Sequence, residues 1–202
     1  MKTRFVLSLL FILVFHFSGF SQDYVVEDNG SISFSKVLES ADKLSKSDIF
    51  SIVETYFSYN YNDGKSVIQT SDKEKGIIVG KGIYPEIYKS VNSMIGRQTL
   101  FDVEHVIRID CKDEKVRVII TVSRYKETQG NWMQIEKDQK ISDVFISGQY
   151  PIVPAKKENK LSREEKTYNE VFLKLTEKIN NQFSEIQKTI NKGNSKLENE
   201  AW

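Results

Sequence analysis

The chain has 202 residues, with 29 Lys and Arg against 28 Asp and Glu, two His and one Cys. A net charge of +1 does not suit a nucleic-acid-binding protein, which needs an excess of clustered basic residues. One Cys cannot form an internal disulfide, and a structural zinc site needs about four Cys or His ligands. We therefore expect a globular protein with no metal, no cofactor and no nucleic-acid partner.

Residues 1–21 have the pattern of a signal peptide. A basic start is followed by an apolar run over residues 5–17, which is shorter than the roughly 20 residues of a membrane-spanning helix. Gly19 and Ser21 then place small residues before a cleavage site at Gln22. A buried core helix or a short membrane anchor is the alternative. Cleavage would remove two basic residues, leave 181 residues with a net charge of −1, and place a chain without a transmembrane segment in the periplasm or outside the cell.

The mature chain begins with a strand and a helix. Apolar residues within 32–37 predict a first strand. Over residues 47–59, apolar side chains recur at spacings of three and four, which predicts a helix with one buried face. Ser45 and Ser47 are both candidate N-caps. The turn-forming residues 60–64 are expected to end this helix.

Strands are predicted next. A polar loop at residues 72–76 joins a short strand to a second strand at 77–84, which Pro85 is expected to end. Gly80 and Gly82 lie inside the second strand. Interior strand glycines indicate a bulge or the close approach of another element.

The clearest pattern is an antiparallel hairpin formed by residues 101–109 and 116–122. Apolar and polar residues alternate along the two strands, with Val106 as the exception, so one face is apolar and the other is wet. The wet face is the candidate binding surface, because mixed charges, hydroxyls and an aromatic ring suit a polar ligand or a protein. An ordinary solvated sheet face is the alternative. The residues expected on this face are Glu104, Arg108, Arg117, Thr121 and Tyr125.

The C-terminal region predicts a long helix. Ser162 and Glu165 form a capping box at its start. An apolar stripe at helical spacing extends over about six turns, which predicts a helix over residues 163–192. Gly193 is expected to end the helix as a C′ glycine. Residues 193–202 are expected to form a flexible tail.

The order of elements predicts the architecture. Residues 130–160 are expected to contain one or two short strands, followed by a Pro-marked linker at about 147–161. Strands with a single apolar face need cover on that face only. The sequence therefore predicts a single α+β domain over residues 22–192, a two-layer sandwich with two helices on one face of an antiparallel sheet.

Three segments carry a family resemblance: the helix at 47–59, the strand segment from Gly76 to Gly82, and the hairpin that closes on Ser123-Arg124-Tyr125. Through them, residues 34–128 resemble an exported domain family of unknown function from Bacteroides-type bacteria, which is associated with a TATA-binding-protein-like fold. The resemblance implies that fold and a periplasmic location. It carries over no catalytic residues, and the fold label does not imply DNA binding.

Nucleophilic catalysis has few candidate residues. His105 is the only histidine after cleavage, and its place among apolar neighbours predicts a buried structural residue rather than a general base. Cys111 lies about 20 Å further along the strand at about 3.3 Å per residue, so a Cys–His pair is not expected. Serine-hydrolase, zinc-protease and phosphate-loop motifs do not occur in the sequence. Gly80-Lys81-Gly82 lies inside a strand and is assigned to backbone packing.

Acidic residues are plentiful but do not form a recognisable motif. Asp72, Glu74, Asp110 and Asp113 lie in two predicted hairpin loops without the spacing of an EF-hand, so we expect them to be solvated.

The leading hypothesis is a non-enzymatic binding or assembly module that recognises an envelope protein or a polar ligand. The alternatives are a carboxylate-based hydrolase acting on envelope or dietary polysaccharide and an adaptor that pairs an edge strand with its partner. A pocket with two convergent acids would favour the enzyme.

Overall fold

The computed structural model describes residues 24–60, 67–92, 97–130, 135–140 and 162–199. The predicted signal peptide at 1–21 and the predicted Pro-marked linker at 147–161 lie outside the described residues. The described elements in chain order are β1 (Val25–Val26), β2 (Ile32–Glu39), α1 (Lys46–Asn60), β3 (Val67–Asp72), β4 (Ile77–Asn92), β5 (Arg97–Lys112), β6 (Lys115–Gly130), β7 (Ile135–Lys140) and α2 (Arg163–Asn199).

The described strands form one antiparallel sheet around the long β5–β6 hairpin. The strand order is β1-β2-β6-β5-β4-β3, and β7 also pairs with β6. β2 and β7 share one edge of β6, because β2 pairs with residues 115–122 and β7 with residues 124–129. The hairpin predicted at 101–109 and 116–122 is confirmed, and both of its strands are longer than predicted.

Both helices cover the same face of the sheet. The inner side chains of β2, β4, β5 and β6 form one hydrophobic core with the apolar faces of α1 and α2. Neither described helix packs on the opposite face, which we call the open face. The predicted α+β sandwich is therefore confirmed. Among the described residues, no helix is both long enough and apolar enough to cross a membrane.

The predicted helix starts are confirmed by their caps. The Asp48 backbone N–H donates to Ser45 Oγ at 3.2 Å, which makes Ser45 the N-cap of α1. At the start of α2, the Ser162 N–H donates to Glu165 Oε2 at 2.6 Å and the Glu165 N–H donates to Ser162 Oγ at 3.2 Å. These reciprocal bonds form the capping box and lower the pKa of Glu165.

Pro85 does not end its strand, so that prediction is wrong. β4 continues to Asn92, and its pairing with β5 shifts between Tyr84 and Tyr88. Pro85 and Glu86 lie within this irregularity, and Glu86 has a φ of 48°. A bulge tolerates Pro because it interrupts the ladder of hydrogen bonds. The Glu86 N–H instead donates to Asp102 Oδ1 at 2.8 Å.

The prediction that Gly193 ends the C-terminal helix is also wrong. α2 continues through Gly193 to Asn199, so the part of the predicted tail up to that residue is helical. A Cβ atom at Gly193 would lie 2.4 Å from Ile52 Cδ1. Gly193 therefore permits the close approach of α1 and α2, and this packing reason cannot be read from a helix-end pattern.

Candidate functional site

The open face carries four of the five side chains predicted for it. Glu104, Arg108 and Arg117 are exposed, and Thr121 is half-buried. Each alternates along its strand with a residue of the hydrophobic core. Thr121 Oγ1 forms a 2.8 Å hydrogen bond with Ser33 Oγ on β2, which links the hydroxyl groups of neighbouring strands.

Tyr125, the fifth predicted member, lies on the core face instead. The pairing of β5 with β6 shifts by one residue, since Glu104 pairs with Arg124 but His105 pairs with Val122. Ser123 of β6 therefore has no partner on β5. One unpaired residue reverses the alternation that follows it. Tyr125 is therefore 1% exposed, and its ring stacks on Phe101 at a centroid distance of 5.6 Å.

An ion-pair cluster lies on the open face near the β5–β6 turn. Arg108 Nε donates to Asp110 Oδ1 at 2.8 Å. Arg117 donates to Asp110 Oδ2 through Nη2 at 2.6 Å and Nε at 3.0 Å. Desolvation of Asp110 acts to raise its pKa, but these hydrogen bonds and charges outweigh it and hold the pKa below 3.8. The carboxylate stays ionised at neutral pH and fixes both guanidinium groups on the sheet surface.

Aliphatic side chains flank this cluster, and most of them were not predicted from the sequence. One row across the sheet contains, in order, Val37, Arg117, Asp110 and Ile77, and the next contains Ser35, Ile119, Arg108 and Val79. Val37 is 57% exposed, and Ile77, Val79 and Ile119 are half-buried. Because paired residues in register share a face, aliphatic groups stand on both sides of the charges. The apolar residue Ile119, at a position that alternation assigns to the polar face, is a sequence signal that could have indicated this arrangement.

A shallow cavity of about 240 Å³ lies beside the cluster. Its lining residues are Val37, Asp110, Lys112, Lys115, Val116 and Arg117. Lys112 and Lys115 face each other across the hairpin one row beyond Asp110. Asp110 is thus the single carboxylate in a cavity lined by three basic side chains.

His105 and Cys111 are both buried, and each lies on β5. The His105 ring stacks on Tyr84 at 3.9 Å with an interplanar angle of 10°. Burial, aided by the charge on Lys178, lowers the pKa of His105 from 6.5 to about 4. Burial raises the pKa of the Cys111 thiol to about 12. The predicted burial of His105 is confirmed, and Cys111 lacks the thiolate character of a nucleophile.

The acidic residues of the two hairpin turns stabilise the backbone. Asp113 Oδ1 accepts the Lys46 N–H at the start of α1 at 2.7 Å. Asp72 accepts the Lys75 N–H at 2.9 Å and pairs with its ammonium group. Across the described ranges of the chain, no group of three or more His, Cys, Asp or Glu side chains is placed to hold a metal.

A second polar cluster lies on the core face and was not predicted from the sequence. Glu127 is 3% exposed and accepts hydrogen bonds from Tyr168 at 3.1 Å and from Gln129. Burial raises the pKa of Tyr168 above its usual value. α2 covers this cluster, and its groups bind one another, so it serves packing rather than an open site. Glu127 faces the core because the unpaired Ser123 reverses the alternation along β6, which also turns Tyr125 inward.

The geometry defines a class of protein: a one-sided α+β sandwich with an open antiparallel sheet. Residues 34–126 match the model of a family described as a domain of unknown function (DUF4468) with a TBP-like fold. This segment belongs to the DUF4468 family, and the family resemblance seen in the sequence is confirmed.

Two solved structures share the fold. A DUF4468 family protein from Bacteroides ovatus is 19% identical, with a TM-score of 0.59 over 84% of this chain and 91% of that chain. A TBP-like protein from Parabacteroides distasonis is 16% identical, with a TM-score of 0.54 over 82% of this chain and 96% of that chain. At these identities the likeness shows the fold. The comparison with curated proteins finds no match.

Proposed function

We propose that the protein is a non-enzymatic binding module, exported to the cell envelope, whose open face binds another envelope protein. The observation that carries this proposal is the surface around Arg108, Asp110 and Arg117. It combines fixed charges with exposed aliphatic groups, and no described helix covers it. Protein interfaces combine apolar contact area with a polar rim in this way.

The hydrolase alternative has less support. Glycoside hydrolysis requires two carboxyl groups on either side of the scissile bond, one of them able to donate a proton. The described cavity contains one carboxylate, Asp110, and two guanidinium groups hold its pKa low. Asp110 is therefore suited to positioning arginine side chains and not to general acid catalysis.

Site-specific photo-crosslinking in intact cells tests the binding role. A photoreactive phenylalanine analogue at position 119 lies on the open face, and the same analogue at exposed Leu173 reports the outer side of α2. We expect a discrete adduct from position 119 and none from position 173. Val106→Glu, on the open face, should remove the adduct from position 119. Lys188→Glu, at an exposed position of α2, should leave this adduct unchanged. An adduct that survives Val106→Glu, or equal adducts from both positions, would contradict the proposal.

Export is tested separately. The basic start, apolar run and small residues of positions 1–21 support cleavage before Gln22. Mass spectrometry of the protein from the periplasm and the medium should therefore show an N-terminus near residue 22. A chain that retains Met1 and fractionates with the cytoplasm would contradict export without affecting the binding proposal.

A further inference from the structure

We infer that the open face binds an acidic, aliphatic peptide segment, with its carboxylate at Arg117 and Arg108 and its apolar side chains against Val37 and Ile119. This inference rests on the proposed function and specifies the chemistry of the partner.

The end of the open face near the β5–β6 turn has an excess of positive charge. On the open face, the end near the β5–β6 turn carries Arg108, Arg117, Lys112 and Lys115. The acidic strand residues on the same part of the face are Asp110, Glu39, which lies opposite Lys115, and Asp72, which lies opposite Ile77 and is neutralised by its ion pair with Lys75. Asp113 is turned to the start of α1 instead. The positive charges outnumber the negative ones by two, so a ligand with carboxylates complements this end of the face.

The two arginines of the ion-pair cluster are held in place by Asp110 and keep donors for a ligand. Asp110 accepts hydrogen bonds from Nε and Nη2 of Arg117 and from Nε of Arg108. A guanidinium group has five N–H donors, so each arginine keeps further donors for an incoming carboxylate. Arg117 and Arg108 are 55% and 47% exposed at their side chains. Because Asp110 already fixes these side chains, less conformational entropy is lost when a ligand binds.

Apolar side chains lie beside these charges on the open face. Val37 lies beside Arg117 and Ile77 lies beside Asp110 in the row that contains both charges, and Ile119 and Val79 stand on either side of Arg108. The cavity of about 240 Å³ between Val37 and Arg117 has room for a small aliphatic group beside a carboxylate. A free inorganic anion would use the charges and leave this aliphatic surface unused. A peptide with alternating Glu and Val would contact both.

Nuclear magnetic resonance titration of the isotope-labelled mature chain tests this inference. The probes are acetyl-Val-Glu-Val-Glu-amide, its Gln counterpart acetyl-Val-Gln-Val-Gln-amide, its Ser counterpart acetyl-Ser-Glu-Ser-Glu-amide, and inorganic phosphate. We expect saturable shifts for the first peptide at Val37, Ile119 and residues 108–117. Binding of both counterparts and of phosphate should be weaker by about tenfold or more, because each lacks one kind of contact.

Variants make the result specific. Arg117→Gln should weaken binding of acetyl-Val-Glu-Val-Glu-amide about tenfold, and the matched control Lys188→Gln on α2 should leave it unchanged. Thermal melting establishes that both variants are folded. The inference is overturned if the first peptide causes no saturable shift, if phosphate or either counterpart binds equally well, or if the two variants behave alike. In those cases an adduct from position 119 in cells would still support the binding proposal, so the two failures are distinguishable.

Discussion

The β5–β6 hairpin has two halves that differ in chemistry. The half nearer the turn, residues 105–112 and 115–122, follows simple alternation, and its core face is aliphatic apart from His105 and Cys111. The far half, residues 97–104 and 124–130, follows the opposite alternation on β6, and its core face contains Phe101, Tyr125 and Glu127. One unpaired residue, Ser123, separates them. The comparison shows that a single bulge decides which side chains reach the surface and which build the core.

The largest expected effect is loss of a buried ring in the far half. Tyr125→Ala should lower the free energy of unfolding by about 3–5 kcal/mol, because it removes a ring packed against Phe101 and Tyr168. Thr121→Ala is the matched control, since simple alternation places positions 121 and 125 on the same face. It should cost about 1 kcal/mol, the worth of its hydrogen bond to Ser33. Urea denaturation measures both, and equal losses would place Tyr125 on the open face after all.

The near half of the hairpin could be predicted from sequence because its alternation is regular. Residues 116, 118, 120 and 122 are buried as predicted. The face of each residue in the far half of β6 could not be predicted, because a bulge depends on the register of the partner strand. Nothing in Ser123-Arg124-Tyr125 distinguishes an unpaired residue from a paired one. The same limit applies to the candidate site: the charges of Arg108 and Arg117 were predicted, but their common partner Asp110 and the flanking Val37 and Val79 require the pairing of four strands.

The second effect concerns His105, which lies where the two halves meet. Its folded pKa is about 4 against 6.5 in the unfolded chain, so the unfolded state binds the proton more readily. Protonation of His105 does not reduce the free energy of unfolding above pH 6.5. The free energy of unfolding then falls as the pH decreases toward 4, and below pH 4 it is lower by about 3 kcal/mol. Measuring unfolding free energies between pH 7.5 and about 4 by urea denaturation tests this slope.

His105→Phe isolates the titration, because the ring can still stack on Tyr84 without binding a proton. We expect the variant to lose most of the pH dependence between about 4 and 6.5. If wild type and variant decline in parallel over that range, His105 is not the titrating group, and the junction of the two halves is not acid-sensitive.

The third effect probes packing in the near half. A Cβ atom at Gly80 would lie 2.7 Å from Phe57 Cε1 on α1, which supports the assignment of Gly80 to backbone packing. Gly80→Ala should therefore destabilise the protein by about 1–3 kcal/mol through overpacking. Combining it with Phe57→Leu should cost less than the sum of the two single changes, because the smaller side chain relieves the clash. Additive losses in denaturation experiments would mean that α1 does not press on β4 at this point.

The smallest effect concerns the surface ion pairs of the near half. Asp110→Asn should lower the unfolding free energy by about 1 kcal/mol or less, since its partner arginines are about half exposed and salt screens such pairs. The loss should shrink as salt is added. Because the folded pKa of Asp110 is below 3.8, its stabilisation is present above that pH and is lost as the pH falls further. This pH range lies below the range in which His105 affects stability. Asp110→Asn and His105→Phe therefore separate the acid sensitivity of the open face from that of the core. A loss at neutral pH that does not respond to salt would show that Asp110 acts through packing, and the arginines would then not depend on its charge for their position.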